Sequence, residues 1–181
     1  MMDQTVAAKG DLDRRGRVKP PASGDEFETL SGFLEYQRGT FRWKCRGLNS
    51  TQLRQRLEPT DITLAGLLTH LARVEHGWFH SVVARQPAEE PWASMERAPG
   101  EWLDHGLSAE GLRDRWEREV ARSRQILTSQ VAAGDFLSEV HEMGSRNLSL
   151  RWIMVHLVGE YARHNGHADL LRESIDGEVG D

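Results

Sequence analysis

The chain has 181 residues, with 28 acidic and 23 basic side chains and a net charge of −5 at pH 7. This length suits one domain with an adequate core, and the scattered, mildly acidic charge argues against a nucleic-acid partner. No apolar run approaches the ~20 residues that cross a bilayer and a single cysteine excludes an internal disulfide, so we expect a cytoplasmic protein without a membrane partner.

Residues 1–24 are rich in glycine, proline and charged side chains. A segment of this composition cannot bury enough apolar surface to fold by itself. We therefore expect a flexible N-terminal tail or an extended strap here, followed by one helical domain over residues 25–177.

A capping signal and an apolar stripe predict the first helix. Ser23 and Glu26 have the spacing of a capping box, which places the helix start near Asp25. Apolar residues then recur at steps of three or four, the period of one buried helical face. The helix should end between Gly47 and Asn49. Its stripe consists of Leu30, Leu34, Phe41, Cys45 and Leu48.

Thr63 is a suitable N-cap for a second helix, and His70 lies beside the apolar stripe of that helix. The stripe consists of Leu64, Leu67, Leu68, Leu71, Trp78 and Val82. The following residues 86–107 contain three prolines, two glycines and two tryptophans, so they cannot form one continuous helix. We expect this connection to pack over one end of the protein.

Ser108 is predicted to cap a third amphipathic helix that reaches Val131. Residues 135–147 are polar and irregular, and no segment alternates with the period of a strand. Ser149 precedes a last helix over residues 150–174. Four amphipathic helices joined by long crossovers predict an all-α four-helix bundle, an architecture that builds metal sites from facing helices.

The last helix carries His156, Glu160 and His164 at steps of four residues, which places them on one helical face. Two ligands at i and i+4 can bind one metal ion, and a residue of a neighbouring helix can complete the set. His70 is positioned to supply that third ligand. The spacing therefore predicts a divalent metal bound by His70, Glu160 and His164.

Ordinary structural roles are the alternatives for these residues. His70 could be a core histidine hydrogen-bonded to a carbonyl group, and Glu160 and His164 could form an ion pair on a solvated face. Ile153 and Leu157 share that face, which favours an inward orientation. A buried carboxylate is costly without a cation, so metal binding would relieve the cost.

The remaining reactive side chains are interpreted as structural. His76, His80, His105 and His141 are expected to be surface or structural residues. Cys45 ends the apolar stripe of the first helix without an evident base, so we expect a small buried hydrophobe and not a nucleophile. The six tryptophans are expected to pack in the core and the connection.

Two long segments resemble a known family. The sequence TLAGLLTHLARVEHGWF ends at Phe79, and the sequence WIMVHLVGEYARHNGHADLLRESIDG begins at Trp152. Together with RWKCRGL in the first helix, they resemble the DinB-like superfamily, in a branch of small bundle proteins close to the mycothiol-dependent maleylpyruvate isomerase. The resemblance extends over residues 14–177.

The resemblance implies the same ligand set. In that superfamily one metal ligand is a histidine of the second helix and two come from an i,i+4 pair on the last helix, positions that match His70, Glu160 and His164. Many members have histidine where this chain has Glu160, but the maleylpyruvate isomerase branch shares the glutamate. His156 and His167 are expected to support a ligand or to contact substrate. Such donors suit zinc first, and also nickel, iron or manganese.

The resemblance further implies a low-molecular-weight thiol, mycothiol or bacillithiol, that attacks an electrophilic small molecule. We therefore expect a metal-dependent S-transferase. A metal-dependent hydrolase and a non-enzymatic, stress-associated metal-binding bundle are the alternatives, because fold alone does not decide function. Related bundles often form homodimers, although no stripe in this sequence identifies an interface.

Overall fold

The computed structural model describes residues 11–94, 102, 104–131 and 136–180. The described chain is an all-α bundle with five α-helices and one short hairpin. The helices are α1 (Glu26–Cys45), α2 (Ser50–Leu53), α3 (Leu64–Glu75), α4 (Ala109–Val131) and α5 (Leu150–Asp176). No helix of the described residues is long and apolar enough to span a membrane.

The four longer helices form the bundle, which confirms the predicted fold class. α1 packs mainly against α5, and α3 packs mainly against α4 while also contacting α5. The predicted stripes of α1 and α3 lie in the core, where Leu34, Phe41, Leu67 and Leu71 are fully buried. Long crossovers join α3 to α4 and α4 to α5.

Side-chain caps start the helices close to the predicted positions. The Thr63 hydroxyl accepts a hydrogen bond from the Gly66 backbone N–H, and the Ser149 hydroxyl accepts one from Trp152. The predicted capping box of α1 is wrong by two residues. Asp25 is the N-cap, and its box is completed by Glu28.

The difference at α1 has a simple cause. Both the Ser23–Glu26 and the Asp25–Glu28 pairs have the required spacing, and aspartate caps a helix as well as serine does. Glu26 is used elsewhere, since its carboxylate accepts hydrogen bonds of 2.5 and 2.9 Å from the Arg151 guanidinium of α5. The helix also ends earlier than predicted, at Cys45.

The second predicted helix changes its winding halfway along. After Glu75 the chain continues as a π-helix, His76–Val83, in which backbone hydrogen bonds reach back five residues instead of four. The Ala84 N–H donates to the Phe79 carbonyl at 2.8 Å, which closes this segment. π-Helical turns are rare and frequently lie at functional sites.

The segment predicted to be irregular contains a two-stranded antiparallel hairpin, so the expectation of no strand is wrong there. Strand β1 (Val140–Met143) pairs with β2 (Arg146–Ser149). The two-residue turn starts at Gly144, which has φ of +60°. Glycine at the first turn position is typical of tight hairpins, because it adopts positive φ without steric strain.

The described part of the N-terminal segment lies along α1. Arg17 is buried, donates to the Thr40 hydroxyl at 2.8 Å and pairs with Asp13 at 2.5 Å. Its guanidinium lies 4.6 Å from the centre of the Tyr36 ring. Residues 1–10, for which a tail or strap is also predicted, lie outside the described residues.

A fully buried polar group of four side chains links the bundle helices; we call it the buried network. Arg38 of α1 donates two hydrogen bonds of 2.8 and 2.6 Å to the Glu75 carboxylate of α3. The Tyr161 hydroxyl of α5 donates to Glu75 at 2.6 Å and accepts from the Trp116 indole of α4 at 2.9 Å. Burial, with the nearby Glu75 carboxylate, raises the pKa of Tyr161.

Candidate metal centre

The structure brings His70, Glu160 and His164 together; we call them the ligand triad. His70 lies on α3, while Glu160 and His164 lie one turn apart on α5. Glu160 Oε2 is 3.7 Å from His70 Nε2 and 3.5 Å from His164 Nε2. One potential ligand atom from each of the three residues lies within 4.8 Å of the others.

These separations fit a shared metal ion better than hydrogen bonds. Two ligands on a tetrahedral zinc ion lie about 3.4 Å apart when each bond is about 2.1 Å long. Strong hydrogen bonds to a carboxylate are shorter, about 2.7–2.9 Å. Two imidazoles and one carboxylate are also the donor types of catalytic zinc sites with open positions. The three residues can therefore hold a divalent cation.

The Trp102 ring packs beside the two imidazoles of the triad. The Trp102 ring lies 5.5 Å from the His70 ring and 5.8 Å from the His164 ring, between centroids. Trp102 reaches this position because α3 has a glycine beneath it, Gly66. A Cβ atom at Gly66 would lie 2.6 Å from the Trp102 carbonyl oxygen, closer than atoms can pack.

His164 is held in its neutral form. Burial is the main cause that lowers its pKa, to about 4, and the neighbouring His70 adds to the effect. A neutral imidazole keeps a lone pair for a metal ion, so little competition from protons is expected at pH 7.

His167 lies directly behind the triad. Its Nδ1 is 3.3 Å from Nδ1 of His164, on the side away from the nitrogen that faces Glu160. Metal-binding histidines usually hydrogen-bond through their second nitrogen, which fixes the ring orientation. This position agrees with the predicted supporting role of His167, which remains a prediction.

His156 occupies an aromatic stack instead. Its ring stacks on Trp152 at 5.0 Å with an angle of 11°, and it meets Trp78 edge-on at 5.0 Å. The Arg146 guanidinium also lies over the Trp152 ring, 5.0 Å from its centre. His156 lies outside the group of three close ligand atoms, and its predicted contact with substrate remains a prediction.

A cavity of about 590 Å³ adjoins the triad at His70. One wall is the π-helix, which contributes Gly77, Trp78 and Ser81. Sequence analysis did not identify this cavity, because it depends on the altered winding after Glu75 and on the hairpin. Its other lining residues are Arg73, Val74, His76, Val82, Ala88, Trp92 and Met143.

Three of the four remaining histidines are buried, and only His105 lies at the surface. His76 Nδ1 lies 3.2 Å from a Glu119 carboxylate oxygen, and burial is the main cause that lowers the pKa of His76. His80 Nε2 lies 3.0 Å from the Pro87 carbonyl oxygen. The His76 contact joins the π-helix to α4, and the His80 contact holds the start of the connection after the π-helix.

The cysteine lies in the core, as predicted. Cys45 is 1% exposed, and burial raises the pKa of its thiol to about 12. A thiol in this state is an inert hydrophobic side chain and not a nucleophile.

Comparison with known proteins identifies one family. The family model described as mycothiol-S-transferase matches residues 29–177, which include α1 from its fourth residue onward, the π-helix, the ligand triad and the hairpin. No curated protein matches the chain.

Proposed function

The chain belongs to the mycothiol-S-transferase family, and on this premise we propose that it is a metal-dependent S-transferase with mycothiol or bacillithiol as cosubstrate. Its ligands are His70, Glu160 and His164. The observation that carries the proposal is the convergence of their three ligand atoms within 4.8 Å. The reaction belongs in the cytoplasm, where low-molecular-weight thiols are kept reduced.

Zinc is the first choice of metal, and nickel, iron and manganese accept the same donors. A bound divalent ion favours deprotonation of a coordinated thiol, which supplies a nucleophile near neutral pH. The Glu160 carboxylate lowers the net charge of such a centre, and two neutral imidazoles leave it partly positive. A thiolate is attracted to a site of that charge.

The surrounding residues order the site. The Trp102 ring packs beside both imidazoles, and His164 is buried, which strengthens the electrostatic interactions of its ring. His167 orients the His164 ring through their 3.3 Å contact. Cys45 contributes no competing nucleophile, because its thiol is buried and protonated.

In the proposed S-transfer, one bond to the electrophilic carbon forms and one breaks. The thiolate sulfur attacks an electrophilic carbon, a carbon–sulfur bond forms, and the leaving group departs with the electrons of the broken bond. The proton of the thiol passes to solvent. No oxidant or reductant is required.

Metal content tests the ligand assignment. Protein purified without a metal-chelating column should contain one divalent ion per chain by elemental analysis, and His70→Ala should lose it while the far-ultraviolet circular dichroism is retained. His105→Asn is the matched control, because His105 is exposed and its φ of 54° is tolerated by asparagine. Full metal content in His70→Ala would refute the ligand set.

Conjugation assays test the reaction. Purified protein should conjugate mycothiol to an electrophile, and a chelator should abolish the rate until metal is restored. Turnover that chelator leaves unchanged would contradict metal dependence. Thiol-independent ester hydrolysis would indicate a hydrolase, and absence of both metal and turnover would indicate a non-enzymatic bundle; each result contradicts the proposal.

A further inference from the structure

We propose that Tyr161 and Glu75 position the ligand triad, so that the buried network sets the geometry of the metal centre in addition to stabilising the bundle. The inference rests on the metal-binding part of the proposed function. It makes Tyr161 a positioning residue, which acts on the metal through the helix that carries Glu160 and His164.

The buried network and the ligand triad share the same pair of helices. α3 carries His70 and Glu75, and α5 carries Glu160, Tyr161 and His164. The Tyr161 hydroxyl donates to the Glu75 carboxylate at 2.6 Å, which is a direct hydrogen bond between the two ligand-bearing helices. The separation of these helices, and the rotation of one against the other, are therefore fixed at a point next to the triad.

The place of Tyr161 on α5 gives this hydrogen bond its effect on the ligands. Tyr161 follows Glu160 directly and lies three residues before His164, so Tyr161 and His164 are neighbours on the helix surface. All three residues belong to one continuous helix. A rotation of α5 that moved the Tyr161 hydroxyl away from Glu75 would therefore move both ligands as well.

A small rotation of α5 is enough to disrupt the site. Side-chain atoms lie about 5–6 Å from a helix axis, so a rotation of about 10° displaces them by about 1 Å. Metal–ligand bonds keep their lengths to within about 0.2 Å. Because Glu160 Oε2 lies 3.7 Å from His70 Nε2 across the two helices, such a shift would take one of the ligands out of bonding distance of a shared ion.

Both partners of the Tyr161–Glu75 hydrogen bond are themselves held in place. The Glu75 carboxylate accepts hydrogen bonds of 2.8 and 2.6 Å from Arg38, which is fully buried on α1. The Trp116 indole N–H can only donate, so its 2.9 Å bond to the Tyr161 hydroxyl directs the hydroxyl proton to Glu75. A contact with one allowed arrangement is suited to fixing the position of a helix.

Stability alone is the alternative role of the buried network. Apolar side chains of similar volume often stabilise a core as well as a buried ion pair does, so stability does not by itself require the Arg38–Glu75 pair. Fully satisfied polar networks instead make a core rigid and specify one arrangement. The arrangement specified here is that of the two helices that carry the ligands.

Tyr161→Phe tests the inference with little change in shape. Loss of the hydroxyl releases α5 from Glu75 while the ring keeps its packing. The affinity for zinc should therefore fall about tenfold, measured by competition with a coloured chelator. Unchanged affinity would overturn the inference.

Leu127→Ala is the control that separates positioning from stability. Leu127 is buried on α4, about three turns beyond Trp116, and belongs to neither cluster. Its truncation leaves a cavity, so the midpoint of urea unfolding should fall at least as far as in Tyr161→Phe. The affinity of folded Leu127→Ala for zinc should nevertheless equal that of the wild type. An equal loss of affinity in both variants would overturn the inference.

Cobalt absorption tests the geometry of the site directly. Co(II) bound to the wild type should show the strong visible bands of a site with few ligands, and Tyr161→Phe should weaken these bands as water molecules complete the coordination of a loosened site. Leu127→Ala should keep the wild-type spectrum. If Tyr161→Phe is partly unfolded, the osmolyte trimethylamine N-oxide restores its folding, so that folded proteins are compared.

These measurements separate failure of this inference from failure of the proposed function. They need neither thiol nor electrophile, so their results hold even if no transferase activity is found. Wild-type protein that binds neither zinc nor cobalt would refute the proposed metal centre and the inference with it. Wild-type protein that binds both ions, with Tyr161→Phe unchanged in affinity and in spectrum, would overturn this inference alone.

Discussion

The bundle contains two polar clusters with opposite properties. In the buried network, the charged and polar groups of Arg38, Glu75 and Tyr161 satisfy one another through hydrogen bonds of 2.6–2.8 Å. In the ligand triad, the Glu160 carboxylate lies 3.5 Å from Nε2 of His164 and 3.7 Å from Nε2 of His70. The buried network therefore satisfies its own charges and hydrogen bonds, whereas the ligand triad has the spacing of a site that a cation completes.

The largest expected effect on the free energy of unfolding comes from disrupting the buried network. Glu75→Gln leaves the fully buried Arg38 with only the partly exposed Glu35 carboxylate, 2.6 Å away, as a counter-charge, so the free energy of unfolding should fall by about 3 kcal/mol in urea titrations. Glu117→Gln is the control, because the Arg42–Glu117 pair is partly exposed and should contribute at most about 1 kcal/mol. Equal losses in the two variants would contradict the distinction between buried and surface pairs.

The triad should stabilise the protein only when metal is present. With free metal at a hundredfold excess over Kd, the free energy of unfolding should rise by about 2.7 kcal/mol relative to chelated protein. Glu160→Gln should remove this difference, measured as the shift in thermal unfolding on addition of zinc. A variant that keeps the full shift would show that Glu160 is not a ligand.

His167 should affect the metal affinity of the triad although it is not itself a ligand. His167→Ala removes the contact with His164 and should weaken metal affinity about 10- to 100-fold, measured by competition with a coloured chelator. His105→Asn again serves as the control. Unchanged affinity would mean that the His164 ring is oriented by packing alone.

The smallest effect is expected at a buried histidine that belongs to neither cluster. His141 of β1 is fully buried, and its ring nitrogens have no hydrogen-bond partner among the described residues. Burial is the main cause that lowers its pKa below 6.5. The unfolded chain therefore takes up a proton first as the pH falls, and stability is lost below pH 6.5.

His141→Leu should remove this penalty. The variant should match the wild type or exceed it slightly at pH 7.5 and exceed it by about 1 kcal/mol at pH 5, in urea titrations at both values. A wild type that is more stable than the variant at pH 5 would show that the imidazole has a partner.

The sequence predicted those features that depend on contacts between residues close together in the chain. The Thr63 and Ser149 caps follow from one side chain and one backbone N–H, so their positions are readable from the sequence. The close approach of Glu160 and His164 follows from helix geometry alone. The pairing of both with His70 required an assumption about which helices face each other, and the bundle satisfies it.

Features that depend on distant contacts were not predictable in the same way. Arg38 and Glu75 are far apart in the sequence, and neither gives a local signal of being buried. The π-helix also gives no local signal, since its composition suits an ordinary helix. The hairpin did have a signal, the Gly144–Ser145 turn, but its strands of four residues are too short to show clear alternation.

The buried network also bears on how the chain folds. Its four members come from four different helices, so any partly assembled bundle that buries Glu75 before Arg38 arrives contains an isolated charge in the core. Such intermediates are costly. We therefore expect the four helices that share the network to separate together during unfolding and not one at a time.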